Sequence, residues 1–405
     1  MSTTTPTDWK TGPAPRTAQE WIARAGEVAA VLATDAPERD RVGATPYAEI
    51  QLLKDSGLVT LLGPTEHGGG GQDWLTAYRV VREVAKADGS IGQLLGYHYL
   101  WNRAARLVGT REQWEHVEAE AARGRWFFGG AVNPRDKDVV VTEDGDDLVF
   151  TGRKSFSTGS KVSDVTVLEG VLEGTDSHVF AIVPSDSDGL SFHDDWDNIG
   201  QRLTESGGVT LDGVRTPWSS AAGYVDKEFR PRTYNTLNVP TIQLVFVNFY
   251  LGIAAGALET AATYTRTKSR SWLHGGHERA VDEPYVIDVY GDLTAKLWAV
   301  EALADTVAAE GQRLHDDPDA VTEKARGDFE VRVAAVKARA TDVALEIANR
   351  VFEVTGARST ATSEGLDRFW RNIRTHTLHD PVAYKRREVG RWVLEGELPE
   401  PTWYS

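Results

Sequence analysis

The chain has 405 residues, of which 41% are hydrophobic and 26% charged, a composition typical of a soluble globular protein. Its 44 basic and 60 acidic residues give a formal net charge of −16, which disfavours nucleic acid and anionic membranes as main partners. The absence of cysteine excludes disulfides, thiolate metal sites and a cysteine nucleophile. The N-terminal residues lack a basic start followed by an apolar run, so we expect no signal peptide and a cytoplasmic location.

The first third of the sequence predicts helices. Apolar residues recur at helical spacing over residues 17–32, 47–56, 91–108 and 112–122. Asp73 is a candidate N-cap for a further helix that begins at Trp74. The glycine run at 68–71 lacks the Lys-Ser/Thr of a phosphate loop, so it predicts a turn. We therefore expect an N-terminal helical domain over residues 1–125.

The residue pattern of the sequence changes at Trp126, where short runs typical of β-strands begin. They are separated by Asp- and Gly-rich turns and lie at 126–128, 139–142, 148–151, 165–168, 178–183 and 208–211. Many short strands at this spacing predict an antiparallel barrel or sandwich over residues 126–230.

The last part, residues 231–405, is helical again. Helical spacing recurs over 243–266, 285–315, 321–355, 366–378 and 381–395, which predicts a four-helix bundle with a final helix. The apolar residues 242–262 include Gln243, Asn248 and Glu259, so this stretch is a better core helix than a membrane span. The fold class is thus α+β, in the order helical domain, β domain, helical bundle.

Residues 371–381 concentrate unusual chemistry, with two arginines, two histidines and an acid. Pro381 is suited to the first position of a helix, with Asp380 as its N-cap. His379 is then expected in a break beside a helix N-terminus, a place to hold an anion or a reactive oxygen. The alternative is a polar corner with satisfied histidines. Metal binding is not expected, because no acidic pair accompanies His376 and His379.

Four other segments carry possible chemistry, each with a structural alternative. His98 lies in an aromatic-rich helix and is either functional or a core histidine bonded to backbone. The hydroxyl-rich run 154–160 suits a ligand or a simple turn. Trp196 lies in a polar loop, where it is expected either to line the binding site of a planar ligand or to cover the edge of the core. The cations at 266–270 are expected either to stabilise a helix C-terminus or to bind a phosphate, in which case Trp272 would cover an adenine or flavin ring.

Taken together, these segments resemble the acyl-CoA dehydrogenase fold over nearly the whole chain. The resemblance is closest to the two-component flavin-dependent monooxygenases built on that fold, a group that includes dibenzothiophene monooxygenases and indole-hydroxylating enzymes. The matching segments are 81–90, 96–98, 194–200, 250–257, 264–267, 351–354 and 369–381. The resemblance implies an N-terminal helical domain, a central β-barrel and a C-terminal four-helix bundle. It also implies a homotetramer that binds reduced flavin where these parts meet.

The resemblance also assigns roles to residues. It implies His98 and His379 as catalytic residues that flank the flavin edge, with the hydroxyl of Thr158 against flavin N5 and O4. It implies a flavin site that further includes Trp126, Phe128, Gly129, Gly130, Arg270 and Arg371, and a substrate pocket lined by Tyr97, Tyr99, Trp101 and Trp196.

Two departures from related sequences bear on these roles. His379 falls where a dehydrogenase of this fold keeps its glutamate base, which favours oxygenation. Dibenzothiophene monooxygenases carry asparagine at the place of Gly130 and serine at that of Thr158. A missing side chain at Gly130 is expected to widen or reshape the pocket.

The implied function is that of an oxygenase component. A separate NAD(P)H–flavin reductase supplies FADH2 or FMNH2, and O2 gives a C4a-hydroperoxyflavin that hydroxylates or S-oxidises an aromatic heterocycle such as indole, a fused indole or dibenzothiophene. The lack of a dinucleotide fingerprint agrees with a separate reductase. The alternatives are an acyl-CoA dehydrogenase or nitroalkane-type flavin oxidase, and a non-catalytic helical scaffold.

Overall fold

Helices form the first third of the chain in the structure, a computed structural model that describes residue 9, residues 13–133 and residues 138–402. The predicted helices are confirmed, and the Asp73 carboxylate accepts a hydrogen bond from the Thr76 N–H at 2.8 Å as the N-cap of α4. A seven-residue helix, α2, was missed because it is too short to show apolar periodicity. The helices are α1 Ala18–Leu32, α2 Ala36–Val42, α3 Tyr47–Asp55, α4 Trp74–Ala87, α5 Gly89–Val108 and α6 Arg111–Gly124.

The central part is a mixed seven-stranded sheet, so the expectation of purely antiparallel pairing was wrong. Strand β4 pairs antiparallel with β5 along one edge, and parallel with β1 and then β2 along the other. Strands β1, β2 and β4 therefore run in the same direction, and β3, which follows β2 in a hairpin, runs in the opposite direction. The strands are β1 Phe128–Ala131, β2 Val139–Asp144, β3 Asp147–Lys154, β4 Val165–Leu172, β5 His178–Pro184, β6 Leu190–Phe192, β7 Val209–Pro217, and a separate hairpin of β8 Tyr224–Val225 and β9 Glu228–Phe229.

The predicted helices of the C-terminal part are also confirmed, and α7 is its central element. The most apolar 18-residue window of the α7 segment is 94% buried within the chain, which is the environment of a core helix. The helices are α7 Asn238–Thr267, α8 Pro284–Asp316, α9 Glu323–Thr355, α10 Asp367–His376 and α11 Val382–Glu395.

Two glycines of α7 let α4 approach closely. A Cβ on Gly252 would lie 2.3 Å from the Arg82 carbonyl oxygen, and a Cβ on Gly256 would lie 2.0 Å from that of Lys86. Neither distance is possible for a real side chain, so the backbones of α4 and α7 meet directly. This contact fixes the N-terminal helices against the bundle.

The loop before β7 joins the sheet to the bundle. A Cβ on Gly200 would lie 2.1 Å from the Arg371 carbonyl oxygen, so the loop backbone rests on α10. The Gln201 N–H donates to Asn372 Oδ1 at 2.7 Å, and the Trp196 indole N–H donates to the Gln201 carbonyl at 2.8 Å. The β part of the chain and the helical bundle are therefore in direct contact at α10.

Candidate active site

His379 lies in the break between α10 and α11, as predicted. Its side chain is 39% exposed, and its Nδ1 lies 3.3 Å from Asp380 Oδ1. The ring stacks on His376 with centroids 5.5 Å apart and planes within 7°, and it meets Phe246 of α7 edge-on at 4.9 Å. The break thus presents a histidine whose plane is set by two neighbouring rings.

Asp380 does not cap α11, contrary to the expectation. It is buried and forms an ion pair with Lys337 of α9, and its Oδ2 accepts a hydrogen bond from Gln243 Nε2 at 3.2 Å. Pro381 occupies the N-cap position instead. A buried ammonium binds a carboxylate more strongly than an exposed helix N–H does, so the side chain turns inward.

The buried pair has shifted pKa values. Burial lowers the pKa of Lys337 to about 8, against the opposing attraction of Asp380. Burial also opposes ionisation of Asp380, but the Lys337 ammonium and the contact with His379 hold the pKa of that carboxyl far below its ordinary value. The group beside His379 is therefore a carboxylate anion at neutral pH.

His376 is a fixed, neutral ring beneath His379. Its Nε2 lies 3.1 Å from the Tyr97 hydroxyl and its Nδ1 lies 2.8 Å from the Tyr250 hydroxyl. Burial lowers the pKa of His376 well below its usual value, with His379 and Lys337 acting in the same direction. Phe249 packs edge-on against the ring at 4.6 Å. His376 therefore orients its neighbours without titrating near neutral pH.

Trp101 fills the space that the glycine at 130 leaves. A Cβ on Gly130 would lie 2.4 Å from Trp101 Cε2, and the buried indole meets Tyr97 edge-on at 6.4 Å. Gly130 was expected to widen or reshape the pocket; the indole of Trp101 occupies this volume, so the packing leaves no added width at this point. The indole Nε1 of Trp101 is buried without a hydrogen-bond partner among the described residues.

The predicted hydroxyl, Thr158, is buried in a loop held against β1. Its Oγ1 lies 2.8 Å from the hydroxyl of Ser206, and its carbonyl accepts a hydrogen bond from the Gly130 N–H at 3.2 Å. A Cβ on Gly129 would lie 2.5 Å from the Ser160 Cα, so the strand and loop backbones touch. The adjacent strand residue Phe128 is fully buried, and Trp126 packs on it with ring centroids 6.5 Å apart.

Phe156 is an exposed aromatic residue in the hydroxyl-rich run and is not among the residues predicted for the site. Its ring is 65% exposed, and its backbone has a φ of 57°, which is unusual for a large side chain. Trp196 meets the ring edge-on at 6.2 Å. An exposed aromatic held in a strained conformation indicates a surface prepared for a ligand.

His98 occupies a different position from the one expected of a catalytic residue. Its Nε2–H donates to the Val59 carbonyl at 2.8 Å, and its Nδ1 accepts from the Phe128 N–H at 3.0 Å. The ring is fully buried, so the structure gives the core-histidine alternative. Tyr99 also faces the core, where its hydroxyl donates to the Leu58 carbonyl at 2.8 Å, so it does not line a pocket with Tyr97.

We expect His98→Gln to remove part of the acid sensitivity of folding. Burial lowers the pKa of His98 to about 4. Below about pH 6.5 the unfolded chain therefore binds more protons than the folded chain, and stability decreases as the pH is lowered. At about pH 5 this loss amounts to about 2 kcal/mol, less than a full titration would give. Melting temperatures at neutral pH and at about pH 5 should therefore differ less for the variant than for the wild type; an equal difference would contradict this role.

The two predicted phosphate-binding arginines differ in availability. Arg270 follows α7, is exposed and has no side-chain bond to any residue that the structure describes. Arg371 instead pairs with Asp40 and with Asp367 at 2.8 Å, and donates to the Ile199 carbonyl at 2.8 Å. A phosphate contact by Arg371 would require these bonds to break, so the structure gives this residue a role in joining domains. Trp272, near Arg270, is 71% exposed.

Comparisons with known proteins show the family to which the chain belongs. Residues 19–125 match the family profile of the acyl-CoA dehydrogenase N-terminal domain, and residues 244–383 that of the C-terminal domain. The chain is 41% identical over 384 residues to dibenzothiophene monooxygenase from Rhodococcus erythropolis, covering 91% of this chain and 92% of the relative. The chain belongs to the acyl-CoA dehydrogenase family, among its flavin-dependent monooxygenases.

Other relatives place this monooxygenase in the same group. Probable FMNH2-dependent monooxygenase SfnC from Pseudomonas putida is 39% identical, with 95% of this chain and 97% of the relative covered. Methanesulfinate monooxygenase MsuC from Pseudomonas fluorescens superposes with a TM-score of 0.92 at 39% identity, covering 95% of this chain and 99% of that one. The complex of TdsC from Paenibacillus sp. A11-2 with FMN and indole also superposes with a TM-score of 0.92 at 39% identity. The match covers 96% of this chain and 100% of the TdsC chain.

Dehydrogenases are more distant from this monooxygenase. A putative acyl-CoA dehydrogenase from Bacillus subtilis is 25% identical, and butyryl-CoA dehydrogenase from Megasphaera elsdenii, at 18% identity and a TM-score of 0.80, shows the fold alone. The predicted preference for oxygenation over dehydrogenation is therefore confirmed at the level of the family.

The residues of this monooxygenase fit a flavin. The buried polar atoms that lack hydrogen-bond partners among the described residues include Trp101 Nε1, Ser157 Oγ and Ser160 Oγ. They surround β1 and the 157–160 loop, where a ring with polar edges supplies matching donors and acceptors. Across the residues that the structure describes, no three His, Asp or Glu side chains converge to hold a metal ion.

Proposed function

We propose that this monooxygenase takes reduced FMN from a separate NAD(P)H–flavin reductase and inserts one atom of O2 into an aromatic heterocycle. The observation that carries the proposal is the half-exposed His379, held by Asp380 at the edge of an aromatic cluster. The names of two relatives support the choice of FMN, since SfnC is described as FMNH2-dependent and TdsC has been solved with FMN.

The chain's own residues suit each task that the flavin requires. Bound reduced flavin supplies the electrons that activate O2 for transfer of a single oxygen atom. The backbone at Gly129 and Gly130, the Thr158 hydroxyl and the exposed Phe156 ring would hold the flavin ring, and Arg270 its phosphate. His379 would hold or deliver a proton at the reacting oxygen, because imidazole exchanges protons near neutral pH.

The proposed substrate surface is aromatic. Tyr97 stacks on Phe246 with centroids 5.7 Å apart, and Phe249 and Trp101 extend the same wall. Such a wall binds flat apolar rings and excludes water from the reacting atoms. We therefore propose indole, a fused indole or a dibenzothiophene-like ring as substrate, with ring hydroxylation or sulfur oxidation as outcome.

One observation favours a second candidate, a small sulfinate. Trp101 fills the space in front of Gly130, and its buried N–H lacks an acceptor among the described residues. A smaller pocket with a donor suits a compact group with acceptor oxygens, and the relative MsuC is named a methanesulfinate monooxygenase. A panel of indole, dibenzothiophene and methanesulfinate, supplied with reduced FMN and O2, distinguishes the two by which compound gains one oxygen in mass.

We predict that Gly130→Asn alone destabilises the fold, by about 1–3 kcal/mol, because the new side chain collides with Trp101. Combining it with Trp101→Ala should restore most of the stability and shift turnover towards the larger rings. Thermal melting and relative rates on indole and dibenzothiophene check this. Equal stability of Gly130→Asn and wild type would contradict the packing of Trp101.

We predict that Arg270→Gln weakens FMN binding by about 10-fold or more, as expected for loss of a charge-assisted phosphate contact. Riboflavin, which lacks the phosphate, should bind the variant and the wild type equally. Arg266→Gln is the matched control, because Arg266 is an exposed cation near the same helix end. Anaerobic titration with each reduced flavin measures these affinities, and an unchanged FMN affinity would remove Arg270 from the site.

We also propose that the enzyme is a cytoplasmic homotetramer. Helix α8 carries large exposed apolar residues, including Tyr285 at 84% and Trp298 at 66%, and the end of α11 exposes Leu394. Apolar surface of this kind supports burial against further copies of the chain. Sedimentation equilibrium tests the tetramer, and a monomer at micromolar concentration would contradict it.

A further inference from the structure

We propose that Asp380 and Lys337 are positioning residues that fix the neutral His379 ring with its proton on Nδ1, which makes Nε2 the nitrogen that exchanges a proton at the active site. This inference rests on the proposed function, because it specifies how His379 performs its part. The geometry is independent of any ligand.

The Asp380 carboxylate is a buried acceptor with several donors around it. Lys337 pairs with Oδ1, Gln243 Nε2 donates to Oδ2 at 3.2 Å, and His379 Nδ1 lies 3.3 Å from Oδ1. An ionised carboxylate only accepts hydrogen bonds. The His379 nitrogen that faces it must therefore carry the proton, and the other nitrogen of the neutral ring carries the lone pair.

Lys337 gives this arrangement its charge balance. It comes from α9, its side chain is almost fully buried, and its ammonium lies 5.0 Å from the Phe246 ring centroid. The ammonium neutralises the Asp380 anion in an environment of low dielectric. Asp380 can then orient His379 through the contact at Nδ1 while its own negative charge is balanced by Lys337.

Several of the charged and titratable groups near His379 come from elements packed against it. They are His376 from α10, Asp380 from the break and Lys337 from α9, with Glu330 of α9 and Lys385 of α11 behind them as a separate ion pair at 3.0 Å. His376 is locked by two tyrosine hydroxyls, so it sets the plane of the stacked His379 ring. The proton position on His379 is thus controlled mainly by the pair Asp380 and Lys337.

The test reads the tautomer directly, by solid-state 15N NMR of the full chain labelled at histidine ring nitrogens, with His379 assigned through its loss in His379→Gln. Above the pH at which the ring becomes neutral, we expect the Nδ1–H form in the wild type. An Nε2–H form in the wild type would overturn the proposal, with no variant needed. The measurement uses the protein without flavin, so its result does not depend on the proposed function.

Variants then test Lys337. In Lys337→Met the unbalanced Asp380 anion should keep His379 doubly protonated to a pH higher by about one unit or more. Lys385→Met, which removes a buried ammonium from the neighbouring pair, should leave His379 as in the wild type; equal effects of the two variants would overturn the specific role. Oxygen insertion in the wild type with an unchanged pH–rate profile in Lys337→Met would reject the positioning role while leaving the proposed function intact.

Discussion

Replacing His379 with alanine is expected to lower the rate of oxygen insertion by about 100-fold, the contribution typical of a positioned proton donor or acceptor. FMN binding should change little, because the flavin contacts proposed here lie on β1, the 156–160 loop and Arg270. The oxygen consumed should appear as hydrogen peroxide instead of product, since the reduced flavin still meets O2. Product formed per reduced FMN, with peroxide measured alongside, gives the result.

The control for this variant is His274→Ala, because His274 is an exposed histidine in the loop after α7. It should behave as the wild type in both assays. A His379→Ala enzyme that keeps both its rate and its ratio of product to peroxide would exclude His379 from the chemistry. Loss of FMN binding would instead indicate that His379 holds the flavin.

Asp380→Ala is expected to be the most destabilising of these changes, by about 3–5 kcal/mol, because it leaves the buried Lys337 ammonium without its partner. The double variant Asp380→Leu with Lys337→Met removes both charges and should recover most of this loss. A fall in melting temperature of about 5 °C or more for the single variant, and a clearly smaller one for the double, is the expected pattern. Single and double variants of equal stability would contradict the ion pair.

The same pair predicts how stability depends on pH. The pKa of Asp380 is depressed in the folded chain, so its contribution is present above the ordinary carboxyl range near pH 4 and is lost as the pH falls below it. Lys337 changes stability in the same direction but in a different pH range, because a pKa lowered to about 8 means that stability rises from there towards pH 10. The loss of stability between pH 7 and about pH 3 should therefore be larger in the wild type than in Asp380→Ala, with each protein compared with its own stability at pH 7.

Local patterns predicted much of the fold. The long helices follow apolar spacing, the Asp73 cap uses a partner three residues away, and the break before Pro381 follows from the geometry of proline. Each of these signals is contained within one turn or two of the chain. The order of helical, β and helical parts was readable for the same reason.

Long-range partners were not predictable in this way. Asp380 finds Lys337 and Gln243, which are 43 and 137 residues away, and these contacts override its local preference for a cap. Trp101 fills the space at Gly130, and the partners of His98 are backbone groups of two other segments. The mixed sheet likewise depends on which strand β4 meets. Packing between distant segments determines these four features, and residue spacing within a single segment does not predict such packing.

The most direct test of the account is to mix the enzyme and substrate anaerobically with reduced FMN, admit 18O2, and analyse the product by mass spectrometry. We expect a product that carries one atom of 18O, in an amount that depends on the reduced FMN supplied. A product that has lost two hydrogens and gained no oxygen, or full conversion of the 18O2 to peroxide with every substrate of the panel, would contradict it.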